Sequence, residues 1–163
     1  MHEDILPAGF RFRKAEESDI DAIHDLIAYY AKDHILLPRS KDDLQMRIRN
    51  FHVAEINGVF VGCTALRDYG NGLFEIRSLA IHHDFLHQGM GTHMVSSLLR
   101  MLRERGGDPI RVFALTYQEP FFRRLGFRIV DKSLFPEKIW SDCAVCPKKD
   151  RCDEIAVLME IGA

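Results

Sequence analysis

The stretch FEIRSLAIHHDFLHQGMG, residues 74–91, decides the fold of this chain. Residues 74–81 form an apolar, alternating run that predicts a β-strand, and the amphipathic residues after Gly91 predict a helix. In such a strand-turn-helix unit, the free N–H groups of the first helical turn and the positive end of the helix dipole attract an anion. Gly89 and Gly91 would let the backbone approach a phosphate closely. A simple connecting turn with flexible glycines is the alternative.

The segments around this unit predict the other strands and helices of one α/β domain. Residues 51–56 and 59–66 flank Asn57-Gly58, so they predict a hairpin with a type I′ turn. Further strands are predicted at residues 10–14, 110–115, 127–129 and 155–161, and helices at residues 20–30, 41–48, 91–105 and 120–125. Strand 110–115 follows a helical crossover, so it should run parallel to strand 74–81 and diverge from it at one end.

Length and composition indicate a single globular domain over residues 1–163. Of the 163 residues, 47% are apolar and 28% are charged, which suffices for a sizeable core. The formal charge of −2 gives no basic surface for nucleic acid, and no apolar run reaches the roughly 20 residues of a membrane span. The first four residues lack the basic and apolar segments of a secretory signal. We therefore expect a cytoplasmic protein with reduced thiols, without a nucleic-acid or membrane partner.

The central unit resembles the GNAT family of acetyl-CoA-dependent N-acetyltransferases. The strand that ends in Leu79-Ala80-Ile81 and the turn with Gly89 and Gly91 are similar to the signature of that family. Leu86 stands where the family has Arg or Gln, and His83 where it often has proline. In this family main-chain N–H groups bind the pyrophosphate, and these groups remain whatever the side chain. The departures therefore leave the expected function of the turn in place.

Segments 121–127 and 136–157 are similar to short, stand-alone relatives of N-acetylglutamate synthase, so the resemblance covers roughly residues 10–160. It implies acetyl-CoA as cosubstrate and a GNAT-like α/β (α+β) fold. In that fold a mixed, mostly antiparallel central sheet is flanked by helices, and splayed parallel strands form the acetyl-CoA slot. The residues implied to bind the cosubstrate are Leu79, Ala80, Ile81, His87, Gln88, Gly89, Met90, Gly91 and Thr92.

The strand 74–81 also carries an acid and a base. Alternation places Glu75 and Arg77 on one face together with Leu79 and Ile81. The two charged residues either pair with each other or with solvent, or they serve catalysis and acceptor binding. Several GNAT relatives carry their general base at the position of Glu75, and the family polarises the acetyl carbonyl with the backbone N–H at the position of Leu79 or Ile81. The resemblance therefore implies Glu75 as the base.

Several groups are candidates for the general acid. Many GNAT enzymes carry a tyrosine acid one turn before a Leu-Gly-Phe sequence, and this chain has Phe122 at that position. A phenyl ring cannot protonate a leaving thiolate, so Tyr117, a water or the proton of the acceptor would have to serve. For Tyr117, a half-buried ring with a solvated hydroxyl is the alternative.

An acidic acceptor would need cations for its carboxylates. Arg77 is the best placed, and Arg67 and Lys138 are further candidates. His34 and Arg39 could also face the substrate, although a solvated surface is the alternative. The resemblance implies acetyl transfer to the α-amine of an amino acid, with glutamate first. The alternatives are acetylation of a protein or another small amine, and a non-catalytic acyl-CoA sensor. A homodimer is left open.

Cys143, Cys146 and Cys152 form a C-x-x-C pair with a third cysteine further on. This spacing is typical of zinc or redox sites, but a structural zinc needs four ligands. The fourth could be Cys63 or a histidine. A zinc site and a loop packed by apolar thiols therefore both remain open.

Three histidines, His82, His83 and His87, lie near the predicted phosphate-binding turn. They could be functional. On a turn, however, we expect the three side chains to point in separate directions, and this disfavours a metal site formed by them.

Overall fold

The computed structural model describes residues 7–106, 109–135 and 154–162. The strands are β1 (Phe10–Lys14), β2 (Phe51–Ile56), β3 (Val59–Asp68), β4 (Leu73–Ile81), β5 (Ile110–Thr116), β6 (Arg128–Val130) and β7 (Ile155–Ile161). The α-helices are α1 (Ile20–Ala31), α2 (Lys41–Arg47), α3 (Met90–Arg105) and α4 (Glu119–Arg124). The strand order in the sheet is β1-β2-β3-β4-β5-β7-β6. Among the described strand pairs only β4 and β5 run parallel, so the predicted mixed, mostly antiparallel sheet is confirmed.

The described residues fall into two compact units. The first contains residues up to 67 and residues 76–104, and the second contains residues 68–75 and the described residues from 105 onward. Strand β4 passes from the second unit to the first between Glu75 and Ile76. In the part of the chain that the structure describes, no helix is both long and apolar enough to cross a bilayer.

The hairpin of β2 and β3 in the first unit matches its prediction. Asn57 has φ of 51° and Gly58 has φ of 80°, the two positive values that a type I′ turn requires. The register then shifts between Ala54 and Glu55, which marks a β-bulge. Helix α2 begins as predicted, because the Ser40 side chain accepts a hydrogen bond of 3.1 Å from the Asp43 amide.

Two hydrophobic clusters of described residues lie in the first unit. Apolar residues of α1 and α2 pack against strand residues that include Phe51, Cys63 and Ala80, and we call this the α1–α2 side. Residues of α3 pack against Ala54 and Val61 of β2 and β3 on the other side. Helices therefore cover both sides of these strands, as expected for an α/β domain.

Strand β4 departs from regular alternation at Ser78, whose φ is 54°. A positive φ is uncommon outside glycine, and here it interrupts the alternation of side chains. The residues after Ser78 therefore point to the face opposite to the one that regular alternation predicts. Leu79 and Ile81 pack with the α3 cluster, while Ala80 belongs to the α1–α2 side. Arg77 also lies on the α1–α2 side, where it lines a pocket with residues of that cluster. The prediction that Arg77 shares a face with Leu79 and Ile81 is therefore wrong.

In the second unit, the start of β4 pairs in parallel with β5 over three positions, Leu73–Glu75 opposite residues 111–113. This confirms the predicted parallel pair. Strand β7 pairs antiparallel with both β5 and β6, so it lies between them. The core of this unit includes Phe113 and Phe135, whose rings stack with their centroids 4.0 Å apart.

Candidate active site

The turn between β4 and α3 has the backbone of an anion site. His87 and Gly89 adopt φ of 63° and 80°, and α3 begins at Met90. The Gly89 carbonyl accepts the first described helical hydrogen bond, from the amide of His93 at 3.2 Å. The amides of the first helical turn therefore lack acceptors within the helix and carry the positive end of its dipole. The Met90 side chain is buried in the α3 cluster, so only its amide can contribute to binding.

The end of β4 is held by a contact that the sequence did not predict. Tyr30 on α1 donates its hydroxyl hydrogen bond to the carbonyl of Ile81. Burial, with a smaller contribution from Tyr29, raises the pKa of Tyr30. The hydroxyl therefore remains a donor at neutral pH and fixes the residue from which the turn departs.

A pocket on the α1–α2 side of the first unit brings several arginines together. Both predicted carboxylate-binding residues of this unit, Arg67 on β3 and Arg77 on β4, line it. Arg39, for which a solvated surface was the alternative, also lines it, and only 11% of its side chain is exposed. Arg47 of α2 lines it too and was not predicted. The pocket is therefore strongly cationic, and its other lining residues are Asp43, Asn50, Phe51 and Ala65.

Asp43 joins the two arginines that come from the α2 segment. Its Oδ2 lies 3.3 Å from Nη1 of Arg39, and its Oδ1 lies 3.1 Å from Nε of Arg47. These contacts place both guanidinium groups at the pocket. One aspartate faces four arginines in its lining, so the pocket keeps a formal excess of positive charge that suits a carboxylate ligand.

Glu75 lies in the second unit and is 2% exposed. Its Oε1 accepts a hydrogen bond of 2.8 Å from the hydroxyl of Tyr69. Tyr69 packs its ring against Phe113, with the centroids 5.9 Å apart. The sequence analysis did not identify Tyr69. The turn sequence Gly70-Asn71-Gly72 was a signal that could have identified it, because such a turn brings together the residues on its two sides. A buried carboxyl group held in this way has the chemistry of a proton acceptor.

A family model described as an acetyltransferase (GNAT) domain matches residues 33–140. The chain belongs to the GNAT acetyltransferase family. The predicted GNAT fold and the predicted acetyl-CoA-dependent acyltransferase are thereby confirmed at the level of the family.

Three relatives of this GNAT chain are informative. An uncharacterized N-acetyltransferase of Chlorobaculum tepidum is 40% identical over 146 residues, 90% of this chain and 93% of the relative. An amino-acid acetyltransferase of Mycobacterium tuberculosis is 36% identical over 73% of this chain and 68% of the relative. The solved structure of N-acetylglutamate synthase from Neisseria gonorrhoeae, complexed with coenzyme A and N-acetyl-glutamate, matches with a TM-score of 0.82 and 25% identity. That match covers 96% of this chain and 36% of the synthase chain, so this chain spans about a third of it.

The usual GNAT tyrosine position holds a core residue in this chain. Phe122 is buried, and its ring packs edge-on against Phe121 and Phe127 at centroid distances of 5.0 and 5.2 Å. Tyr117 follows β5 directly and is half-buried. Its role as general acid stays a prediction.

Some predicted residues cannot be placed. Lys138 and the cysteines Cys143, Cys146 and Cys152 lie outside the described residues. Cys63, the suggested fourth zinc ligand, is buried in the first unit, and burial raises the pKa of its thiol to about 12. It packs there as a small apolar residue.

Proposed function

We propose that this GNAT enzyme transfers the acetyl group of acetyl-CoA to the α-amine of an acidic amino acid, with glutamate as the first candidate. The observation that carries the proposal is the arginine pocket, which is lined by Arg39, Arg47, Arg67 and Arg77. Relatives named amino-acid acetyltransferase and the synthase complex with N-acetyl-glutamate support it. Acylation of a protein amine would not require so many cations in one pocket.

The turn of residues 86–91 is the proposed seat of the acetyl-CoA pyrophosphate. A phosphate group fits this turn, because Gly89 has a positive φ and the amides of Met90, Gly91 and Thr92 have no acceptor within the helix. The coenzyme A in the gonococcal synthase structure supports this role. His87 and Gln88 are exposed, so their side chains can reach the solvent-facing part of the ligand.

The arginine pocket is the proposed acceptor site, since its charge matches the charges of the substrate. An acidic amino acid presents two carboxylates, and each can accept paired hydrogen bonds from a guanidinium group. Arg77 and Arg67 come from strands, so the sheet fixes their positions. Arg39 and Arg47 are fixed through Asp43. A neutral amino acid offers these arginines one carboxylate fewer, so it should bind less tightly.

Glu75 and Tyr117 are the proposed proton-transfer groups of the acetyl transfer. The free amine is mostly protonated at neutral pH, and Glu75, directly or through a water, takes its proton. The amine nitrogen then bonds to the thioester carbonyl carbon, and the carbon–sulfur bond breaks to release the CoA thiolate. The nitrogen also gives up a second proton, to solvent, which leaves the neutral amide. Tyr69 donates a hydrogen bond to Oε1 of Glu75, which fixes the position of this carboxyl group. Tyr117 is the proposed donor of a proton to the thiolate.

Phe122 gives one reason to consider a second function. A protein without the tyrosine acid could bind acyl-CoA without turnover and act as a sensor. Thiol release from acetyl-CoA, followed with a panel of amino acids, a lysine-containing peptide and no acceptor, separates these functions. Release with glutamate and detection of N-acetylglutamate supports the proposal. Release with the peptide alone, or tight acetyl-CoA binding without release, would show that it is wrong.

A further inference from the structure

Three consecutive residues after β4 bring metal-binding atoms together. His82, His83 and Asp84 each offer one ligand atom, and these atoms lie within 4.8 Å of one another. We propose that this trio is a site for a divalent metal ion such as Zn²⁺. It is separate from the arginine pocket, since the trio and the lining of the pocket share no residue.

The distances in the trio suit one small ion. Nε2 of His83 lies 3.4 Å from Oδ1 of Asp84, and Nδ1 of His82 lies 3.7 Å from Oδ2 of the same carboxylate. Zinc binds nitrogen and oxygen ligands at about 2.0–2.2 Å, so two ligands of a tetrahedral ion are separated by roughly 3.4 Å. The two measured separations are close to this value. Rotation of the exposed side chains would bring one nitrogen of each imidazole and one carboxylate oxygen onto the ion.

The backbone holds His82 in the form that a metal needs. The amide of Asp84 donates a hydrogen bond of 3.2 Å to Nδ1 of His82, so this nitrogen carries a lone pair instead of a proton. It faces the carboxylate of Asp84 at the same time. Because the amide hydrogen points at this lone pair, the imidazole must turn away from the amide before Nδ1 can bind an ion.

Ring stacking restricts both imidazoles. The rings of His82 and His83 stack with centroids 4.3 Å apart and an angle of 25° between their planes. His83 stacks on its other face against Tyr29, with centroids 5.2 Å apart. The two rings therefore lie face to face, so the expectation of separate directions is wrong for them, and the stack must open for both imidazoles to bind one ion. The third ligand is Asp84, which the sequence analysis did not consider, and His87 is not part of the group.

The ligand atoms indicate which metal ions the trio would bind, and their exposure indicates how tightly. Two imidazoles and one carboxylate suit Zn²⁺ and the ions that replace it, such as Co²⁺ and Ni²⁺, better than Ca²⁺ or Mg²⁺. The side chains of His82, His83 and Asp84 are 40%, 50% and 69% exposed. Three protein ligands leave a fourth position for water. The ion should therefore exchange with solvent and bind more weakly than a buried structural zinc.

Titration of the 163-residue chain with Co²⁺ tests the proposal. Cobalt bound by histidine and carboxylate absorbs in the visible range without thiolate-to-cobalt charge transfer, whereas cobalt bound by cysteines shows that charge transfer. We expect one equivalent of the first type. His83→Ala and Asp84→Asn should each weaken its binding roughly tenfold or more, because each removes a ligand.

His24→Ala is the matched control. His24 also lies beside an aspartate on the surface, with its Nδ1 3.3 Å from Oδ1 of Asp25, but it is outside the trio. Its substitution should leave cobalt binding unchanged, and circular dichroism should show that all variants are folded. Cobalt spectra with thiolate charge transfer alone, or histidine-type binding that His83→Ala and Asp84→Asn leave intact, would overturn the assignment. Absence of histidine-type binding in the unaltered protein would do the same.

Discussion

The hydroxyl of Tyr69 donates a hydrogen bond of 2.8 Å to Oε1 of Glu75, which is buried. This contact fixes the position of the carboxyl group inside the fold, as expected for a positioned general base. A buried carboxyl group also requires such a partner to remain stable in the fold. The pair therefore allows the catalytic and structural roles of Glu75 to be separated by experiment.

Glu75→Gln should lower kcat by about 10²–10⁴-fold at neutral pH, because the side chain then cannot accept the amine proton. Activity should recover in part at high pH, where the amine loses its proton unaided. Tyr69→Phe should reduce kcat less, since it removes the orienting bond and leaves the base. Rates across a pH series check this. Full activity of Glu75→Gln at pH 7 would show that Glu75 is structural.

Arg77→Ala should raise the KM for the acceptor by roughly 10- to 100-fold and change the KM for acetyl-CoA little. The reason is that hydrogen bonds to a charged group are each worth about 1.5–3 kcal/mol. Arg100→Ala is the control, since Arg100 is an exposed arginine of α3 outside the pocket. Steady-state kinetics with each substrate varied in turn measure the effect. Equal increases in both KM values would contradict a specific acceptor role.

Gly89→Ala should weaken acetyl-CoA binding as measured by calorimetry. Gly89 has φ of 80°, and a Cβ at that conformation strains the turn by about 1–2 kcal/mol. Gly58→Ala is a matched control, because Gly58 also has φ of 80° and no atom lies within 4 Å of its added Cβ. Both variants should lose similar stability, but only Gly89→Ala should lose affinity. Equal affinities in the two variants would remove the proposed role of the turn.

Local sequence signals predicted the parts of the fold that local chemistry controls. The Asn57-Gly58 hairpin was predicted because two adjacent residues that accept a positive φ define its turn. The turn before α3 was predicted because glycines follow a strand and precede an amphipathic run. Ser78 gave no such signal. Serine in a strand normally has a negative φ, so the change of face between Arg77 and Leu79 could not be predicted.

The residues of the candidate site were harder to predict than the local fold, because tertiary packing brings them together. Arg67 and Arg77 were found from their strands, but Arg47 joins them only because α2 packs over the same face. Its contact with Asp43 follows helical spacing, yet spacing alone does not show which side of the helix is covered. Contacts between distant segments of this kind have no short-range signature.

The buried histidine of β2 should make stability depend on pH. His52 is 7% exposed, its Nδ1 has no described partner, and its ring stacks on Phe12. Burial, with a smaller contribution from Lys14, lowers the pKa of His52 below its ordinary value of 6.5. As pH falls below about 6.5, the unfolded chain binds a proton that the folded chain does not, so this residue reduces stability progressively.

His52→Phe should therefore flatten the loss of stability between pH 6.5 and the lowered pKa. A single proton contributes a slope of at most about 1.4 kcal/mol per pH unit. Urea unfolding at several pH values measures the difference between the two proteins, and His24→Phe, at a more exposed histidine, serves as control. Parallel stability curves for the unaltered and His52→Phe proteins would contradict this explanation.

The central claim, that the arginine pocket selects an acidic amino acid, is tested most directly by comparing kcat/KM for glutamate and glutamine. The two acceptors have the same length and differ in one carboxylate. If the four arginines bind both carboxylates, glutamate should be favoured by about tenfold or more, and Arg39→Gln should reduce that ratio. Equal kcat/KM values for glutamate and glutamine, or a preference for glutamine, would contradict the claim.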